Sequence, residues 1–118
     1  MSDHSSVTIY HWRTNMRFYL LDQACELLRD IGVVNNRSEF CTDWLGQSEC
    51  YLRTLNFKKS EPSLGVMAIC ASRLQKAGEQ MMSSPRYRHY GHRFILLSEK
   101  CHAEVNAESV ELDLDLTA

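Results

Sequence analysis

Ser38-Glu-Phe-Cys-Thr-Asp-Trp-Leu-Gly-Gln-Ser-Glu-Cys-Tyr-Leu-Arg-Thr-Leu55, followed closely by Glu61-Pro-Ser-Leu64, is the stretch from which the fold is read. It divides at Gly46 into two short helical segments. Ser38 is placed to cap the first, residues 39–45, its hydroxyl accepting an open first-turn amide. Phe40, Cys41, Trp44 and Leu45 fall on the inner side of that segment. Gly46 supplies the positive φ a tight turn needs. Ser48 is placed to cap the second segment, residues 49–56, with Leu52 and Leu55 inward and Glu49, Arg53 and Asn56 outward. Thr42 stands where two steeply crossing helices need a small side chain. The layout is that of a helix-turn-helix.

Working outward, residues 14–31 carry Leu20, Leu21, Ala24, Leu27, Leu28 and Ile31 at three- and four-residue steps, the spacing of an amphipathic helix that Gly32 ends. Val33 to Arg37 reads as a linker. Beyond the quoted stretch, residues 57–62 read as a polar loop. Pro62 discourages helix before itself, and Ser63 caps a further helix over residues 64–80 with the stripe Leu64, Met67, Ala68, Ala71 and Leu74. Ser83-Ser-Pro85 breaks the chain. Tyr87, Tyr90, Phe94, Leu97 and Cys101 then mark a fifth amphipathic segment, although residues 93–97 alone also fit a strand. The expected organisation is a polar arm over residues 1–13, a helix-turn-helix domain over 14–82, a helical extension over 83–106 and an acidic, unstructured tail over 107–118. The fold class expected is all-α.

The chain has 118 residues, enough for one small domain, and 44% apolar content, ordinary for a globular protein. No apolar run approaches the roughly 20 residues that cross a membrane. The N-terminus lacks a secretion-signal pattern, and five cysteines without paired spacing do not make a disulfide framework. A cytoplasmic location is expected. Net charge is −2 but unevenly spread: residues 37–93 carry +4, residues 99–118 carry −5. That is a basic middle with an acidic end.

The quoted stretch resembles the phage-repressor-like (Cro/repressor, XRE-like) DNA-binding domains. The matching positions are Ser38, Leu45-Gly46, Ser48, Leu52, Leu55, Pro62-Ser63-Leu64 and Leu74, across about residues 17–80. The string Phe40, Trp44-Leu-Gly, Tyr51-Leu and Pro62-Ser63 is also similar to that of an uncharacterised family of small bacterial proteins. The resemblance implies a lambda-repressor-like bundle of four to five helices with an extra C-terminal helix. It implies a sequence-specific transcriptional regulator whose partner is double-stranded DNA. Gln47, Ser48, Glu49, Tyr51 and Arg53 would then reach base edges, and Arg37, Lys58 and Lys59 would meet phosphates.

Other features carry less. Trp44 reads as core, and cysteines 25, 41, 50 and 70 fall on helical stripes as small hydrophobes. His89, His92, Cys101 and His102 lack the paired spacing of a zinc site. The basic-aromatic run Arg86-Tyr-Arg-His-Tyr-Gly-His-Arg93 reads as a solvated helix face with phosphate contact as the alternative. No nucleophile–base pair, phosphate loop or carboxylate dyad stands out, so neither an enzyme nor a cofactor is expected. Residues 86–105 either dock on the chain's own core or form a homodimer interface, the dimer being narrowly favoured. The rival to DNA binding is a protein-interaction module on the same fold, engaging a protein partner.

Overall fold

Apolar side chains that return every third or fourth residue bury one stripe of a helix. Helix α1, Met16–Asp30, forms on that pattern and buries Leu20, Leu21, Ala24, Cys25, Leu27 and Leu28. Gly32, at φ +82°, ends it. The Gly32 and Val33 amides donate to the Arg29 and Leu28 carbonyls at 3.1 and 2.9 Å, closing oxygens the helix end would leave open. The computed structural model describes residues 15–117, with side chains through residue 107. The expected arm, residues 1–13, lies outside the described residues.

Helix α2, Arg37–Glu39, runs directly into a π-helical turn, Phe40–Trp44. Its cap is Asn36, not Ser38: the Glu39 amide donates to Asn36 Oδ1 at 2.9 Å. The Glu39 carboxylate accepts in return from the amide and the side chain of Asn35, at 3.2 and 3.0 Å. Asn36 thus satisfies an open first-turn amide, and Glu39 in turn satisfies the amide of Asn35. Helix α3, Tyr51–Lys58, by contrast starts later than its spacing predicts. Cys50 flanks it without a side-chain cap, and Ser48 contributes only its carbonyl, which accepts from the Tyr51 amide at 3.1 Å. Helix α4, Leu64–Met82, is capped as expected, the Val66 amide donating to Ser63 Oγ at 3.2 Å.

Helix α5, Arg88–Thr117, takes residues 93–97 as helix and not strand. It continues through the acidic stretch expected to lack structure. Once a helix is nucleated, each further residue adds one backbone hydrogen bond at little cost, so the backbone propagates. Among the described residues every regular element is helical.

One core joins these helices. Leu21, Leu28, Phe40, Leu45, Leu52, Met67 and Leu74 meet Phe94 and Cys101 of α5 in a single buried cluster. Of the apolar stripe of residues 86–105, Phe94 and Cys101 are fully buried within the chain, Tyr90 and Leu97 are half-buried, and Tyr87 stays exposed. The inner part of this segment docks on the chain's own core.

The α4–α5 seam is the largest helix contact, and two glycines set its closeness. A Cβ on Gly91 would lie 3.0 Å from the Gly78 carbonyl oxygen and 3.1 Å from the Met82 amide nitrogen. Backbone atoms cannot retreat without parting the helices. Gly91→Ala is therefore expected to cost about 1–2 kcal/mol, the overpacking penalty outweighing the roughly 1 kcal/mol Ala gains in helix propensity. A lower urea midpoint with unchanged helicity in buffer would show it.

Candidate nucleic-acid interface

The turn between α2 and α3 is built around Gly46 at φ +69°. A Cβ there would meet nothing within 4 Å, so the backbone angle and not space requires glycine. The Leu45 amide donates to the Phe40 carbonyl at 3.1 Å and the Gln47 amide to the Cys41 carbonyl at 2.8 Å. This closure is one residue wider than the usual glycine cap, in keeping with the π winding before it. Arg73 of α4 holds the turn by donating to the Asp43 carbonyl at 3.1 Å. Trp44 packs against the core.

Beyond the turn, the inner side of α3 is fixed by fully buried Leu52 and partly buried Tyr51 and Leu55. Arg53, Thr54, Asn56, Phe57 and Lys58 are exposed on the other side. Arg37, Ser38, Glu49, Arg53 and Asn56 line one open groove of about 150 Å³ between α2 and α3. Three of the expected contact residues, Arg37, Glu49 and Arg53, are thus brought together. Asn56, which the sequence reading faced outward without giving it a contact role, joins them. Its signal was its position three residues after Arg53, which places both on one helix face.

The other expected residues are placed differently. Gln47, Ser48 and Glu49 lie in the loop before α3, not in its first turn, because the wider closure moves the helix start to Tyr51. The Tyr51 ring is committed to the core. Arg37 is not a free cation: its guanidinium pairs with Asp22 of α1. Lys58 ends α3, and Lys59 follows at φ 57°. Both are exposed and sit outside the groove. Lys59 is notable because a left-handed residue is cheap only for glycine. Its amide and that of Ser60 close the helix on Asn56 and Leu55 at 3.3 and 3.0 Å.

The thiols belong to the interior. Burial pushes the Cys25 thiol up to about 11, with nearby Arg37 pulling weakly the other way. Cys70 is held well above the ordinary thiol range, first by its hydrogen bond to Cys101 and then by burial. Cys50 is only half-buried. His102, half-buried, shares a hydrogen bond with Gln75 at 3.2 Å. None of the described helices is long and apolar enough to cross a membrane.

Residues 21–113 match the family DUF6626, whose function is unknown. The chain belongs to that family. The match spans α1 through most of α5, so the family unit includes the α4–α5 hairpin as well as the turn at Gly46. No curated protein and no solved structure matches the chain.

Proposed function

We propose that this DUF6626 protein is a non-catalytic transcriptional regulator of the cytoplasm that binds double-stranded DNA through α3, in the manner of a lambda-repressor-like helix-turn-helix. The observation that carries the reading is the outward face of α3. Arg53 and Asn56 stand side by side on it with Glu49 beside them, over a buried Leu52 that holds the helix in place. Arg reads guanine and Asn reads adenine by paired hydrogen bonds, and Glu accepts from cytosine. Selecting duplexes from a random pool with the purified chain, then titrating the enriched sequence against a scrambled one, tests this. A shared enriched sequence supports the reading, and an unenriched pool ends it.

Lys59 provides a second check. Glycine at this left-handed position removes backbone strain and a cation together. Lys59→Gly is expected to stabilise the fold by about 0.5–1 kcal/mol. It should also weaken binding to all duplexes alike, lowering the slope of log affinity against log salt by about one. A thermal melt and a salt titration read the two effects separately.

The protein-interaction reading is favoured by one observation. Phe57, on the outward side of α3, is 86% exposed. An aromatic side chain so placed suits an apolar partner surface. Duplex binding that falls steeply as salt rises distinguishes the two, since counterion release is the mark of phosphate contact.

A further inference from the structure

We propose that the outward face of the first turns of α5, with Arg86 and Tyr87 just before it, is a second DNA surface that grips the phosphate backbone of a duplex. The inference rests on the DNA-binding reading of α3 and adds a site remote from it. Between Glu79 and Glu99 the chain has no acidic residue, yet it holds Arg86, Arg88 and Arg93 with His89 and His92. That is +3 within a chain of net charge −2.

The fold turns this composition into a face. At about 100° per residue, positions 88, 89, 92 and 93 fall within an arc of roughly 140°. Gly91, Phe94, Ser98 and Cys101 occupy the opposite side and are buried. Arg86, Tyr87, Arg88, His89, His92 and Arg93 are all exposed.

The charges are also uncommitted. Arg17, Arg29 and Arg37 pair with Glu61, Glu26 and Asp22. Among the described residues, Arg86, Arg88 and Arg93 form no ion pair. Arg88 uses its Nε to donate to the Met82 carbonyl at 3.3 Å, which pins the turn and leaves the rest of the guanidinium facing out. Arg86 lies 5.5 Å over the Tyr87 ring, a planar cation stacked on an aromatic face. Two guanidiniums on the α5 face, with a third in the turn just before it, none of them ion-paired among the described residues, suit a chain of phosphates, which they bind as forked donors without reading sequence. In the chain, α4 lies between this surface and α3, and its 19 residues are about 28 Å long at 1.5 Å per residue. A duplex turn is about 34 Å, so a site of two turns is long enough to span both.

The test is a salt titration of a labelled 20-base-pair duplex of scrambled sequence. It compares the full chain with Arg86→Gln/Arg93→Gln, which leaves the Arg88 bond intact, and with a triple variant that adds Arg88→Gln. The double variant is expected to lower the slope of log affinity against log salt by about two and to reduce affinity roughly 10- to 100-fold near 0.1 M salt. The loss should be equal on the selected sequence. An unchanged slope in a variant of normal helicity overturns this second surface and leaves the α3 reading standing. Absence of duplex binding by the unaltered chain overturns both. Binding by the unaltered chain to phosphatidylserine vesicles but not to duplex, lost in the double variant, assigns the face to a lipid surface and also overturns the proposal.

Discussion

Phe94→Ala is expected to cost about 3–5 kcal/mol, a large share of the 5–15 kcal/mol by which a domain of this size is stable. Phe94 is fully buried at the α4–α5 seam, beside the place where Gly78 and Gly91 bring the two backbones together. A Cβ on Gly78 would already meet the Phe94 Cβ at 3.0 Å. With the helices held that close, the ring's volume cannot be refilled by a small shift, and a cavity remains. The predicted consequence reaches beyond α5, because the cluster that contains Phe94 also contains Leu52 of α3 and Leu28 of α1. A single cooperative urea transition with a strongly lowered midpoint, followed by probes on both α3 and α5, would show that the hairpin and the Gly46 turn are one folding unit. Loss of α5 structure alone, with α1 to α4 melting at the original midpoint, would contradict it.

The second large effect concerns binding. Arg53→Ala is expected to lower affinity for the selected duplex by about 1–3 kcal/mol while leaving scrambled duplex nearly unchanged. Arg53 is exposed, and no ion pair holds it among the described residues. Its removal should therefore leave the melting temperature within about a degree or two, as surface substitutions generally do. Equal losses on both duplexes would reassign Arg53 to a phosphate. Arg37 provides a contrast. Its pairing with Asp22 links α2 to α1, so Arg37→Ala acts first on that contact and is a poorer probe of DNA.

Much of this architecture is legible locally. The stripe of α1 and its glycine ending, the Ser63 cap of α4, and the positive φ at Gly46 each follow from a few adjacent residues. Side-chain periodicity and backbone angle are properties of short segments. The caps of α2 and α3 were less legible because several candidates compete. Ser38 and Asn36 are both good caps, and Asn36 takes the role with Asn35 and Glu39 completing the bond set. The π winding of Phe40–Trp44 has no periodic signature in five residues. It nevertheless moves the start of α3 and leaves Ser48 and Glu49 in a loop. Tyr51, placed among the base readers by the resemblance, packs against the core.

The sequence by itself determined an all-α fold class with a glycine turn between α2 and α3, because helical spacing and left-handed backbone are set by residues within a turn or two of one another. That residues 93–97 and the acidic stretch through Thr117 are helical was decided by the structure. Only the tertiary structure decided which charges stay available and which stripe stays open. The Asp22–Arg37 pair joins residues 15 apart on different elements. The close packing of Phe94 against α4 depends on two glycines separated by a chain reversal. Charge pairing and seam closeness are properties of surfaces brought together in space, and no local pattern records the partner across the gap.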